Sequence, residues 1–160
     1  MKILIDGDSC SVISTTERLA KKYRIPCHIY CDTTRSIKSK YAQVHVVDCS
    51  KDAADFAIIS ACSENDIVIT NDSGLAALVL AKNGIAINTR GTEYTDINIL
   101  GYLNTRYVRQ LTVRQTHKKT VKGKLYEDND KQSCYRIVLT NLLKARCCNQ
   151  LLDEMENLNG

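Results

Sequence analysis

The sequence has no long apolar run, only one proline (Pro26), and no aspartate or glutamate between residues 97 and 126. No apolar stretch approaches the roughly 20 residues that a membrane-spanning helix needs, and the first residues do not resemble a signal peptide. The length of 160 residues and the 44% apolar content fit a single compact domain, residues 1–160, with a real core. These features predict a cytoplasmic protein with no membrane association.

Cysteine is abundant, with eight residues, but no secretory signal accompanies it, which favours reduced thiols over a disulfide framework. Cys27 and Cys31 flank a stretch that alternates like a strand, and no second pair with ligand spacing follows, so structural zinc is not favoured. Cys10 follows an acidic motif at a predicted helix start, where a thiol pKa falls. No histidine is placed to activate Cys10, and we therefore expect a packed thiol rather than a nucleophile.

Apolar runs alternate with helical patterns over the first 90 residues. The predicted strands span 2–6, 27–31, 43–47, 66–70 and 85–87, and the predicted helices 9–23, 51–63 and 73–82. This order predicts an α/β fold with a doubly wound, mostly parallel sheet and helices on both faces. Residues 1–91 would form this βα core.

The rest of the chain, residues 92–160, is predicted to be a helical C-terminal part. Its helices would span about 95–113 and 129–157, with a basic loop at 114–124. An apolar stripe on the last helix indicates that it packs onto the sheet or onto a second copy of the chain, as a homodimer.

Aspartates follow two apolar strands that should end at the same edge of the sheet. Asp6 and Asp8 come after the first strand and Asp72 after the fourth, while Asp52 and Asp55 share one face of a helix. Ligands bind outside the carboxyl ends of such strands, and crowded carboxylates repel one another unless a hard cation is bound. The pattern predicts a Mg²⁺ or Mn²⁺ site held by Asp6, Asp8 and Asp72.

Helix capping is the alternative explanation for three of these aspartates. Asp8, Asp52 and Asp72 all stand near predicted helix starts, where aspartate binds free N–H groups and complements the helix dipole. Asp6 ends an otherwise apolar strand, and a carboxylate buried there needs compensation. The metal hypothesis therefore depends on several acids sharing one edge.

Basic residues interleaved with tyrosines fill the stretch that lacks acids, which fits a polyanion partner, although a solvated helix face and loop would look the same. Arg90, followed by Gly91 after the fifth strand, offers a charged fork for a phosphate, or a partner for an aspartate. The candidate phosphate-binding residues are Arg90, Arg106, Arg109, Lys118 and Lys119.

Four motifs together resemble the YaiI/YqxD family of small bacterial proteins, over at least residues 1–115. They are Asp6-Gly7-Asp8-Ser9-Cys10, Asp52-Ala53-Ala54-Asp55, the segment 66–76, and Arg90-Gly91-Thr92-Glu93-Tyr94. That family is similar to PIN-like domains, many of which are metal-dependent ribonucleases with an acidic cluster at the strand ends. The resemblance implies a PIN-like fold and places Asp6, Asp8, Asp52, Asp55 and Asp72 in the acidic set.

The chain departs from the usual family pattern at a few positions. Ser11, Gly74 and Thr89 stand where the family usually has proline, and residues 118–124 replace its Gly-Gly-Pro loop. These departures concern the rigidity of the backbone around the site and the substrate-facing loop. The acids themselves are retained.

Three functions follow from these residues. The first is a Mg²⁺- or Mn²⁺-dependent nuclease acting on RNA, in which Asp52 or Asp55 orders the attacking water and residues 106–124 hold the phosphate backbone. The second is a phosphatase of the haloacid dehalogenase type, with Asp6 as nucleophile and Asp8 as acid/base. The third is a non-catalytic RNA- or ribosome-associated binding module, whose RNA affinity would depend on salt but not on Asp6.

Overall fold

The computed structural model describes residues 1–50, 52–116 and 133–146. The strands are β1 (Ile3–Asp6), β2 (Cys27–Asp32), β3 (Gln43–Val47), β4 (Ile67–Ile69), β5 (Ile85–Ile87) and β6 (Glu93–Tyr94). The helices are α1 (Ile13–Lys22), α2 (Ala53–Ala61), α3 (Ser73–Ala81), α4 (Ile99–Thr116) and α5 (residues 133–146). Lys118, Lys119, most of the predicted basic loop 114–124 and the end of the predicted last helix lie outside the described residues.

The strands form one sheet in the order β3-β2-β1-β4-β5-β6. The first five strands are parallel and β6 is antiparallel to β5, which confirms the predicted doubly wound, mostly parallel α/β fold. The chain moves outward from β1 to β3 and then returns to pair β4 with the other side of β1. In sheets of this kind, the strand order reverses at a crevice at the carboxyl edge, which here lies between β1 and β4.

Each central strand sends alternate side chains into two separate cores, because successive residues of a strand point to opposite faces. Ile3 and Ile5 of β1 face a layer with α1 and α5, whereas Leu4 faces a layer with α2, α3 and α4. The central strands β4 and β5 are apolar at every position, and β1 is apolar up to Asp6, as expected for a parallel sheet covered on both faces.

Helix α5 packs onto the same sheet face as α1. Tyr135, Leu139 and Leu143 of α5 are fully buried in the core that α1 covers. The hydroxyls of Tyr135 and Thr16 lie 2.6 Å apart in a buried hydrogen bond between the two helices. Of the two alternatives for the last helix, packing onto its own sheet is what the described part shows. A homodimer through the C-terminal helices stays a prediction.

Two helices, α1 and α4, begin about four residues later than the sequence predicts, whereas the other described boundaries agree or differ by one to three residues. Helix α1 begins at Ile13 rather than residue 9, since the backbone N–H groups of Asp8 and Ser9 both donate to the Asp6 carboxylate and the chain turns there. The short strand β6 was not predicted, and it delays the following helix to Ile99. No helix in the described part of the chain is long and apolar enough to cross a membrane.

Two glycines permit close backbone approaches that position the loops of the sheet. A Cβ on Gly7 would lie 2.9 Å from the carbonyl oxygen of Tyr30, to which the Gly7 N–H donates at 2.7 Å. Gly91 has φ +85°, and a Cβ there would lie 2.8 Å from the Cα of Tyr135. The turn at Gly91 is therefore packed against the start of α5, and only glycine suits its conformation.

Candidate functional site

A pocket of about 380 Å³ lies at the carboxyl edge of the sheet, at the reversal of strand order. Seven of the residues that line it are aspartates from the segments that follow the first four strands: Asp6, Asp8, Asp32, Asp48, Asp52, Asp55 and Asp72. The structure thus brings the five predicted site aspartates to one cavity. Asp32 and Asp48 were missed, although Asp32 ends β2, as Asp6 ends β1, and Asp48 directly follows β3.

Asp6 is the most enclosed acid of the pocket, with 4% of its surface exposed. One carboxylate oxygen accepts hydrogen bonds from the Ser9 hydroxyl (2.5 Å) and the Thr70 hydroxyl (2.7 Å). The other oxygen accepts the backbone N–H groups of Asp8 and Ser9, both at 3.3 Å. These neutral donors supply the compensation that a buried carboxylate needs, and they fix the orientation of Asp6.

Asp8 lies beside a second acid and an arginine from the segment after β2. Its carboxylate accepts the backbone N–H of Asp32 at 3.2 Å, and Arg35 donates to the Asp8 carbonyl oxygen at 2.7 Å. Burial raises the pKa of Asp8, and the charges of Asp32 and Asp6 raise it further, whereas the Asp32 N–H and Arg35 oppose the rise. Sequence reasoning missed Arg35, because nothing local ties it to Asp8.

Asp72 combines helix capping with a place in the pocket. It is the N-cap of α3, and its carboxylate accepts the N–H groups of Gly74 (2.6 Å) and Leu75 (3.3 Å). The same oxygen pairs with Arg106 of α4. The capping prediction is therefore confirmed for Asp72.

Capping does not explain the other two candidates. Asp52 is the N-cap of α2 with φ 62°, yet its side chain makes no capping hydrogen bond. Asp8 lies well before the first residue of α1, Ile13. Hydrogen-bonded capping is therefore wrong for both, although Asp52 does occupy the N-cap position of α2.

Asp55, in the first turn of α2, carries the largest electrostatic perturbation among the acids of the pocket. Burial raises its pKa to about 6, with additional contributions from the charges of Asp72, Asp6 and Asp52, and with Arg106 opposing them. Around neutral pH the Asp55 carboxylate is mostly ionised, and its negative charge is disfavoured by burial and by the neighbouring acids. A cation in the pocket would relieve that repulsion.

The donor set has the chemistry of a hard-cation site, since carboxylate and hydroxyl oxygens are the ligands that Mg²⁺ and Mn²⁺ prefer. Among the described residues, however, no three histidine, cysteine, aspartate or glutamate side chains are grouped to ligate one ion as they stand. Asp6 is turned toward Ser9 and Thr70, and Asp72 is paired with Arg106. Ligation by Asp6, Asp8 and Asp72 would therefore require Asp6 to turn an oxygen away from its present donors and Asp72 to exchange Arg106 for the ion.

Of the predicted phosphate-binding residues, Arg106 is the one placed at this site, through its pair with Asp72. Arg90 is exposed in the turn before β6 and does not line the pocket. Within the described part of the chain, Arg90 forms no ion pair with an aspartate. The side chain of Arg109 is not among those described, and Lys118 and Lys119 lie outside the described residues.

The thiols near the site differ in exposure. Cys10 is buried and donates to the Ile69 carbonyl oxygen at 3.2 Å, and burial raises its pKa to about 12, with Asp6 adding to the rise. The packed-thiol prediction is confirmed, whereas the expected lowering of its pKa by a helix N-terminus is wrong because α1 starts three residues later. Cys49 is exposed, lines the pocket and lies 2.5 Å from the Thr33 hydroxyl.

Comparison with known proteins gives one consistent family. A family model described as "Uncharacterized BCR, YaiI/YqxD family" matches residues 4–145. A UPF0178 protein of Clostridium acetobutylicum is 37% identical over 77% of this chain and 83% of its own length. UPF0178 proteins of Natranaerobius thermophilus (35% identical; 89% and 98%) and Alkaliphilus oremlandii (37% identical; 91% and 96%) match over more of the chain. No solved structure matches.

Proposed function

We propose that this chain, which belongs to the YaiI/YqxD family, is a divalent-metal-dependent phosphodiesterase that cleaves RNA. The observation that carries the proposal is the convergence of seven aspartates in one pocket at the carboxyl edge of the sheet. Arg35 and Arg106 stand beside this pocket, each in contact with one of its acids. Acids that bind a cation, flanked by guanidinium groups that bind phosphate, match the needs of phosphodiester hydrolysis.

Asp6, Asp8 and Asp72 would hold Mg²⁺ or Mn²⁺. A bound ion of this kind lowers the pKa of a coordinated water and stabilises the leaving oxygen. The Ser9 and Thr70 hydroxyls hold the Asp6 carboxylate in place through the hydrogen bonds described above. Such support orients a ligand before the ion arrives.

Asp55 is the better of the two candidates for the residue that orders the attacking water. A general base works best when its pKa lies near the operating pH, and the pKa of Asp55 is raised to about 6. Asp55 is half-buried in the pocket, whereas Asp52 is exposed at its edge. Asp55 would accept the proton of the water as the water attacks phosphorus, and Asp52 would act on Asp55 through its charge.

Arg35 and Arg106 would hold the phosphates on either side of the scissile bond. Arg35 reaches the pocket from the loop after β2, and Arg106 reaches it from α4 beyond β4. Both side chains are exposed, so their guanidinium groups are free to turn toward a phosphate. A substrate phosphate that draws Arg106 away from Asp72 would at the same time free Asp72 for the ion.

The phosphatase alternative is less well supported by the geometry. A nucleophilic carboxylate must present an oxygen to phosphorus, yet Asp6 is 4% exposed and both of its oxygens accept hydrogen bonds from protein groups. The binding-module alternative uses the same cationic residues and differs only in the absence of turnover.

The test is cleavage of a 5′-labelled single-stranded oligoribonucleotide by the purified protein with Mn²⁺. We expect Asp55→Asn to slow cleavage by about 10²- to 10⁴-fold, the range for loss of a general base. Asp6→Asn should also abolish Mn²⁺ binding in a calorimetric titration. Asp96→Asn is the matched control, because Asp96 is exposed and does not line the pocket.

The alternatives have their own outcomes in the same experiment. Hydrolysis of a phosphate monoester in preference to RNA, with a phosphate mimic trapped on Asp6, would favour the phosphatase. RNA binding that is unchanged by Asp6→Asn, without cleavage and without Mn²⁺ binding, would leave the binding module as the function.

A further inference from the structure

A groove lined by basic residues, opposite in charge to the acidic pocket, lies between α1 and α5 on the sheet face that these two helices cover. This groove of about 340 Å³ separates the two helices and is lined by Arg18, Leu19 and Lys22 of α1 and by Arg136 and Thr140 of α5. Arg18 and Lys22 are four residues apart, as are Arg136 and Thr140. Each pair therefore shares one face of its helix, and the two pairs face each other across the groove.

The walls of this groove are held in place by buried contacts. The Tyr135 hydroxyl of α5 is 2.6 Å from the Thr16 hydroxyl of α1, and both residues are fully buried. Leu19, on the floor of the groove, is 7% exposed and belongs to the same core as Leu139. The spacing of the cationic side chains is thus set by the packed core, although their charged ends are exposed.

The cations of the groove have no anionic partner among the described residues. Neither the two arginines nor Lys22 forms a side-chain hydrogen bond or an ion pair there, and the Lys22 ammonium lies 5.6 Å from the Tyr23 ring centroid. Glu17, the nearest acid in sequence, accepts a hydrogen bond from Ser39. Three like charges held around one groove create a positive potential that an anion relieves.

We propose that this groove binds a phosphate group of a nucleic-acid strand. Guanidinium groups on both walls suit phosphate oxygens, which they bind in a bidentate manner, and the Thr140 hydroxyl adds a neutral donor. The three charged residues are exposed, so a phosphate carried on a strand can reach them from solvent. An elongated strand can pass through it with a phosphate flanked from both sides, whereas a small free anion would keep one side in water.

The groove is separate from the acidic pocket. The two sites share no residue, and the groove lies between helices on one sheet face, while the pocket lies at the carboxyl edge. A protein that cleaves nothing would still hold a phosphate here, so the inference does not depend on the proposed activity.

The test is fluorescence anisotropy with a labelled single-stranded oligoribonucleotide, in a chelating buffer so that no turnover occurs. Each phosphate contact to a single strand contributes about 0.7 to the slope of log K against log salt, which is about 5-fold in affinity at 0.1 M salt. Because the two arginines hold one phosphate, Arg18→Gln with Arg136→Gln should weaken binding about 5-fold and lower the slope by about 0.7.

The matched control is Lys38→Gln with Lys40→Gln, which removes the same charge from two exposed positions that lie on neither α1 nor α5 and do not line the groove. We expect this control to change the affinity by no more than about twofold, since screening leaves only a weak long-range effect. Thermal unfolding of both double variants checks that the fold is retained.

Several results would overturn the assignment. Equal losses in the two double variants would show diffuse attraction rather than a site. Absence of oligonucleotide binding by the parent protein would remove the site altogether. A titration in which inorganic phosphate, but not the oligonucleotide, shifts the amide signals of Arg18 and Arg136 would replace the nucleic acid with a free anion.

Discussion

Replacing Asp55 by asparagine should make the protein more stable at neutral pH, although the same change should slow RNA cleavage. The pKa of Asp55 is raised from 3.8 to about 6 by burial and by the neighbouring acids. A shift of about 2 units corresponds to about 3 kcal/mol if the group is fully shielded from solvent. Because Asp55 is only partly buried, solvent screening reduces our expectation to about 1 to 2 kcal/mol.

The pH dependence gives this prediction a defined sign. The folded protein holds the proton of Asp55 more tightly than the unfolded chain does, so the fold is favoured while Asp55 is protonated. That favourable contribution is complete below the unfolded pKa of about 4 and is lost as the pH rises through about 6. Asp55→Asn should therefore have little effect on the free energy of unfolding at pH 4 and its full effect at pH 7.5.

Urea unfolding at the two pH values measures the effect. The midpoint of Asp55→Asn should rise at pH 7.5 with an unchanged m-value, which identifies a change in stability rather than in the compactness of either state. The control, Asp96→Asn, should stay within about 0.5 kcal/mol of the parent at both pH values. A neutral or destabilising effect of Asp55→Asn at pH 7.5 would refute the inference that the acids of the pocket repel one another at this position.

Three further outcomes are expected. The rate of RNA cleavage should fall about tenfold per pH unit below about 6, because Asp55 must be ionised to accept the proton of the attacking water; a pH-independent rate would argue against this role. Arg106→Gln should tighten Mn²⁺ binding by freeing Asp72, while changing stability by less than about 1 kcal/mol because the pair is exposed. Gly7→Ala should destabilise the protein by about 1 to 3 kcal/mol through overpacking, whereas Gly101→Ala, with open space around it, should stabilise α4 by about 0.5 to 1 kcal/mol.

The fold could be predicted well from the sequence because its signals are local. The alternating stretch 43–47 and the apolar run 85–87 coincide with β3 and β5, and the alternation of strands with helices predicts a parallel sheet. The convergence of the site aspartates follows from the same rule, since parallel strands end at one edge. Knowing that Asp6 and Asp72 each follow a strand was enough to place them at one edge.

The features that escaped prediction depend on contacts between distant parts of the chain. Arg35 contacts Asp8 across 27 residues, and Arg106 contacts Asp72 across 34. The periodicity of the sequence does not reveal such contacts. It also does not reveal the raised pKa of Asp55, because that shift depends on the positions of three other acids. The groove between α1 and α5 likewise depends on how α5 packs onto the sheet, a choice that the amphipathic pattern left open between the sheet and a second chain.

The acids of the pocket fall into two groups that differ in how the fold treats their charge. Asp6 is surrounded by hydroxyl and N–H donors, so its negative charge is stabilised by the protein itself. Asp55 has carboxylates as neighbours, and its charge is opposed. Folding accounts for the stabilised charge of Asp6 but not for the opposed charge of Asp55. By the argument above, an asparagine at position 55 should give a higher free energy of unfolding at neutral pH. Retention of a destabilising charge is typical of functional sites, and in this pocket it identifies the first turn of α2 as the place where a bound cation would have its largest effect.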